Sequence, residues 1–264
     1  MTTTPARRKL ALDELKAALQ ARSHASVVHY ACEGFDRPDG RIAAIAVRNL
    51  GNGASTLFDV TSRLPSGMTP KSAPPAVLDR AELAMLEAFD LFLQGHPHHH
   101  WLHWNMRDAT FGFDALHRRQ RALGGTPGPL PPPSFRIDLA SRMFDLYGDR
   151  YAAPPSRLET LAARNGLSMA NLIKGAEQGE RVTRGDYRPV ERSLLNRVDL
   201  LYSIAIKATE GTLKTDARWY DGIGGLGQLM HWLKEHPVYL AVTIGGGVLA
   251  VVATLLKIWD LWPW

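Results

Sequence analysis

SVVHYACEGF (residues 26–35), RIAAIAVRNL (41–50) and STLFDV (55–60) are three apolar runs separated by DRPDG and GNG. Runs of this length and composition read as strands, and short polar connections containing glycine join antiparallel neighbours. An antiparallel meander is therefore expected. Working outward, residues 5–22 suggest an N-terminal helix with Leu10, Leu12, Leu15 and Leu19 roughly on one side. Beyond the meander, a Pro-rich loop, LPSGMTPKSAPP, leads to a helix from about Asp79 to Gln94 that carries Leu83, Leu86, Phe89, Leu91 and Leu93. HHHWLHWN (98–105) is a fourth strand candidate, and a helix over about 111–123 ends at a glycine pair. FRIDLASRMFDLYG reads as a short strand entering a helix, with two or three further helices over 157–210. Strands, a helix, a strand and then mostly helices make an α/β domain with a mixed sheet the economical solution.

The C-terminal end reads differently. Residues 238–256 carry no charge, and a membrane-spanning helix needs about 20 mostly apolar residues. Tyr239 lies near one boundary and Trp259, Trp262 and Trp264 near the other, where interfacial aromatics are expected. Gly245, Gly246 and Gly247 form a smooth mid-span patch through which a second copy could approach to give a homo-oligomer. Upstream, Leu226, Leu229, Met230 and Leu233 follow helical amphipathic spacing before Pro237, and DGIGGLG (221–227) reads as a joint. The expected organisation is an N-terminal helix over 1–25, a domain over 26–215, the joint and amphipathic helix over 216–237, a transmembrane helix over 238–259 and a tail over 260–264. The N-terminus lacks an apolar stretch of signal-peptide type. Lys214, Arg218 and Lys234 precede the span, so a single-pass protein with its large N-terminal domain in the cytoplasm is expected. A lone cysteine, Cys32, excludes an intrachain disulfide and suits a reducing compartment. A formal net charge of +5 is equally compatible with nucleic acid, anionic lipid or simple solubility.

The order of these segments, with the residues they carry, resembles the DEDD 3′–5′ exonucleases of the ribonuclease H-like superfamily over roughly residues 26–210. In that family the first strand ends in Asp-x-Glu. In VVHYACEGF the glutamate is matched by Glu33, while Ala31 stands where the aspartate belongs. WLHWNMRDATFGFDAL is similar to the second motif, with His103, Asn105 and Asp108. FRIDLASRMF and RLETLAARNGL resemble the strand and helix that follow. The last motif places a His or Tyr five residues before an Asp. ERSLLNRVDLL supplies Asp199, with Leu194 at the earlier position.

The resemblance implies a ribonuclease H-like mixed sheet flanked by helices, and a centre of two divalent ions that stabilise the attacking and leaving oxygens of a phosphoryl group. Mg²⁺ or Mn²⁺ requires carboxylate oxygens, so Glu33, Asp108 and Asp199 are the candidate catalytic residues and metal ligands. Alanine at 31 supplies no oxygen, and leucine at 194 cannot orient or deprotonate water. An impaired site is the simplest expectation. Each acid also has a structural alternative: Glu33 as a turn residue, Asp108 at a helix N-terminus, and Asp199 on a polar stripe with Arg192, Asn196 and Arg197. The histidines at 96, 98, 99, 100 and 103 have poor spacing for zinc, because successive strand residues face opposite ways, and at best His98, His100 and His103 could share a metal. Asp138 reads as a strand-end or cap residue, and Cys32 as core. Arg118, Arg119 and Arg121 suit either phosphate contact or a solvated helix face.

Three functions follow as expectations. The leading one is a membrane-anchored exonuclease-like domain, catalytically weak or inactive, that binds nucleic acid or a nucleotide and signals at the membrane. The alternatives are an active metal-dependent exonuclease tethered to the membrane, and a self-associating membrane effector of a bacterial defence response.

Overall fold

The computed structural model describes residues 4–34, 40–107 and 110–217. Its sheet has five strands: β1 (Ala25–Cys32), β2 (Ile42–Asn49), β3 (Ser55–Asp59), β4 (His100–His103) and β5 (Arg136–Asp138), in the order β3-β2-β1-β4-β5. The meander is present as expected, with β1 antiparallel to β2 and β2 to β3. The other two strands run parallel to β1, with β4 against β1 and β5 against β4.

Seven helices accompany these strands among the described residues: α1 (Pro5–Gln20), α2 (Pro75–Gln94), α3 (Phe113–Ala122), α4 (Leu139–Tyr147), α5 (Arg157–Arg164), α6 (Gly175–Thr183) and α7 (Tyr187–Thr209). Every residue of β1 and the first six of β2 are buried, because the central strands are covered on both faces and must be apolar on both. Cross-strand partners share a face, so His29 and Ala31 of β1 stand with Ala46 and Ala44 of β2. Long α7 packs across β1 and β2. Arg48, two residues beyond Ala46, meets Asp199 of α7 and so marks this as the α7 face. The alanines allow the helix to lie close to the strands. On the other face, Phe58 of β3, paired with Ile45, packs against Phe89 and Phe92 of α2.

Two boundaries differ from the sequence expectation. α2 begins at Pro75 rather than near Asp79, since proline at the first helical position lacks only an N–H that would be unpaired anyway. β4 occupies only residues 100–103 of the expected 98–105. Asn105 adopts φ 57°, a left-handed conformation that turns the chain out of the sheet and that asparagine tolerates better than most residues. The N-terminal helix belongs to the same core, packing on α4 and α7. Its buried face is Ala11, Leu15, Ala18 and Leu19, while Leu10 is exposed. No helix among the described residues is long and apolar enough to cross a membrane. The expected span at 238–256, with Gly245, Gly246 and Gly247, the joint and the amphipathic helix, lies outside the described residues.

Candidate functional site

In sheets with parallel strands, ligands bind in the groove outside the carboxyl ends of those strands. The carboxyl ends of β1, β4 and β5 border a cleft of about 850 Å³, walled by the β4–α3 connection and by residues of α4, α5, α6 and α7. That volume is within the ~300–1,000 Å³ usual for small-molecule sites. Among the described residues that line the cleft, four arginines, Arg7, Arg107, Arg157 and Arg197, face two carboxylates, Asp145 and Glu159.

Each arginine near the mouth is positioned by the local fold. The turn at Asn105 is fixed by Asp138, at the N-terminal end of α4, whose Oδ1 accepts the Asn105 N–H at 2.8 Å. Asp138 Oδ2 accepts from Arg107 Nη1 at 3.1 Å and from the Ser141 hydroxyl at 2.6 Å. Arg107 Nη1 also reaches Ser141 Oγ at 2.5 Å, yet the side chain stays 59% exposed, so the guanidinium is aimed but still open to a ligand. Beneath this loop, His103 Nδ1 accepts the Met106 N–H at 3.3 Å. Burial pushes its pKa down to about 4, with Asp138 at 3.7 Å opposing, so the ring is neutral at pH 7. On the far wall, Arg157 opens α5 and lies over the buried Tyr151 ring, 5.0 Å from its centroid. Burial raises the Tyr151 hydroxyl pKa, and a hydrogen bond with Arg157 opposes that rise.

The floor is drier. His29 of β1 is buried and its Nδ1–H donates to the Tyr30 carbonyl at 3.1 Å. Burial first, and the Arg197 charge second, hold its pKa well below the usual value. Arg197 projects from α7 and donates through Nη2 to the Ile173 carbonyl at 3.2 Å. Gln178 of α6 is 2% exposed. Trp104, Phe111, Phe144 and Tyr151 supply aromatic walls. This combination of fixed cations, neutral histidine and aromatic surface can hold an anion attached to a planar group.

Of the acids singled out from sequence, Glu33 and Asp199 do not converge. Glu33 follows β1, where its Oε2 accepts the Arg41 N–H at 3.1 Å and its own N–H donates to the Arg41 carbonyl at 3.0 Å. It serves to close the β1–β2 end. Asp199 is half exposed and pairs with Arg48 at 2.8 Å. Arg48 is in register with Val27, six residues or roughly 20 Å of strand before Glu33. Glu33 and Asp199 are therefore at opposite ends of the sheet. Asp108 lies outside the described residues. Among the described residues no three His, Cys, Asp or Glu side chains are placed to hold a metal ion. Ala31 and Leu194 are both fully buried in the core. His98 and His100 lie beside Phe135, while His103 is at the other end of β4. Cys32 is buried, and Arg119 turns inward to Glu82.

Sequence reading missed Arg107, Arg157 and Gln178 as site residues and placed Arg197 on a polar stripe with Asp199. One signal was available for Arg197, which directly precedes Val198 in a helix whose neighbouring positions, Leu194 and Leu201, are core. The chain matches no protein-family model and no curated protein sequence.

Proposed function

We propose that this chain is a ribonuclease H-like domain of DEDD-exonuclease type that no longer cleaves. It uses the cleft at the carboxyl ends of β1, β4 and β5 to hold a nucleic acid or nucleotide by its phosphates. The fold reading is supported by the three-strand meander followed by a helix and a fourth strand, the order on which the resemblance rests. The observation that carries the functional reading is that Arg107, Arg157 and Arg197 line the cleft. Two metal ions need negative ligands, whereas arginine presents a fork of donors suited to phosphate oxygens. The span at 238–256 tethers the domain to a membrane, so occupancy of the cleft is reported there.

The test uses full-length protein purified in detergent, with 3′-labelled single-stranded DNA and RNA and with labelled mononucleotides, in Mn²⁺ and in its absence. Retention of at least one of these ligands without shortening of the strands is expected. Shortening that needs Mn²⁺ and is abolished by Glu33→Gln would restore the enzyme reading. Absence of any binding would remove the proposal altogether.

A further inference from the structure

After α7 the chain turns back and is clasped to the end of α5 and to the loop before it. Thr212 and Leu213 N–H both donate to the Lys207 carbonyl, at 2.9 and 3.0 Å, and the Leu213 side chain is buried. Lys214 and Asn165 then exchange two hydrogen bonds, Lys214 N–H to Asn165 Oδ1 at 2.9 Å and Asn165 Nδ2 to the Lys214 carbonyl at 2.8 Å. Asp216 N–H donates to the Tyr151 carbonyl at 3.0 Å, and its carboxylate pairs with Arg164. Residues 212–216 thus form a strap, and the expected amphipathic helix and span follow it in the chain. The partners of the strap also build the cleft wall. The Tyr151 carbonyl holds Asp216, while its ring lines the cleft beneath the Arg157 guanidinium, 5.0 Å from the centroid. α5 presents Arg157, Leu158 and Glu159 to the cleft in its first turn and holds the strap through Arg164 and Asn165 at its other end, about 12 Å along the helix. With Leu158, Leu161 and Ala162 buried, this two-turn helix shifts as one piece.

We infer that docking of the strap and binding of a phosphate in the cleft favour each other, so that the C-terminal segment regulates the cleft and the cleft signals to that segment. The docked strap holds Tyr151 and α5 where Arg157 lines the cleft. A phosphate held by Arg157 fixes the same two elements from the other side. Each event orders what the other needs ordered, and a coupling of this kind acts equally in both directions. This inference rests on the phosphate-binding reading above and adds to it the element that regulates binding. Neither Arg164 nor Asn165 is among the residues that line the cleft, so each can be changed without removing a contact to bound phosphate.

Full-length protein in detergent, with single-stranded DNA, single-stranded RNA and AMP as probes, is followed by affinity measurement and by amide hydrogen exchange. With at least one probe bound, the amides of residues 212–216 are expected to exchange about fivefold more slowly, the lower end of usual coupling, while those of the β2–β3 turn, 50–54, are unchanged. Asn165→Ala and Arg164→Ala each release part of the strap and are expected to weaken binding of the same probe about fivefold. Arg164→Lys, which keeps the ion pair with Asp216, should bind as the parent does. If Asn165→Ala fails to fold, Arg164, whose side chain is 46% exposed, carries the test. A purely structural strap would lower the thermal midpoint of both alanine variants while the probe binds as it does to the parent and leaves exchange at 212–216 unchanged. That result overturns the coupling and leaves the phosphate reading standing. Equal slowing at 212–216 and 50–54 is general stabilisation and overturns the coupling as well. If no probe binds, both readings fall.

Discussion

Glu82 has no exposed surface and takes four hydrogen bonds. Oε1 accepts from Ile42 N–H and Arg119 Nε at 2.8 Å each, and Oε2 from Arg41 Nη1 at 2.9 Å and Arg119 Nη2 at 2.8 Å. One carboxylate thereby ties α2 to β2 and α3. Removing one member of a buried ionic network leaves uncompensated charge, at a cost of roughly 3–5 kcal/mol. Glu82→Gln is expected to lower stability by that order in urea unfolding, and a loss below about 1 kcal/mol would contradict it. Histidines set a second residue-scale expectation. His29 is held well below its usual pKa of 6.5, and His99 and His103 are pushed to about 4, in each case chiefly by burial. Between pH 6.5 and about 4 the unfolded chain binds protons that the folded chain refuses, so stability is present above 6.5 and is lost as pH falls. Urea midpoints should drop from pH 7 to pH 5, and an unchanged midpoint would contradict these assignments. Neither feature was legible in sequence. Glu82 belongs to an ordinary helix pattern, and its two arginines come from positions 41 and 119, brought near it only by the sheet order.

α6 illustrates how an element can be held by one missing side chain. A Cβ on Gly179 would lie 2.3 Å from the Glu33 carbonyl oxygen, a backbone atom at the end of β1. In an isolated helix Gly→Ala gains up to about 1 kcal/mol. Here overpacking against backbone costs about 1–3 kcal/mol, so the sign reverses. Gly179→Ala is expected to destabilise the protein and, by shifting the adjacent Gln178, to weaken ligand binding. A stabilised variant with unchanged binding would contradict this. The strands and helices themselves were mostly legible, because β1 and β2 are continuous apolar runs and the turns between strands are short. The faces were harder. In α1 the leucines suggested a stripe, but small Ala11 and Ala18 are buried and Leu10 is exposed, since a one-residue step rotates a helix by about 100°. The ends of β4 were also hidden, because nothing in HHHWLHWN marks where pairing with β1 begins or stops.

For the whole molecule, sheet order decides where charge collects. β5 and β3 are the two edges. Arg107 and Arg157 gather at the carboxyl ends on the β4–β5 side, whereas exposed Arg63 follows β3 at the opposite edge. A formal net charge of +5 could not reveal this distribution, because it says nothing about which cations share a cleft. The proposed membrane tether belongs to this scale too. Full-length protein is expected to remain with membranes through an alkaline carbonate wash and to leave them only in detergent. Release by carbonate would contradict a spanning helix. The central claim is that the cleft is a phosphate-binding site, and the most direct measurement is fluorescence anisotropy of a labelled nucleotide with full-length protein. Arg107→Ala and Arg157→Ala should each weaken binding about tenfold, as expected for hydrogen bonds to a charged group worth about 1.5–3 kcal/mol, while Arg63→Ala should match the parent. Equal affinity across all three variants and the parent would contradict the account.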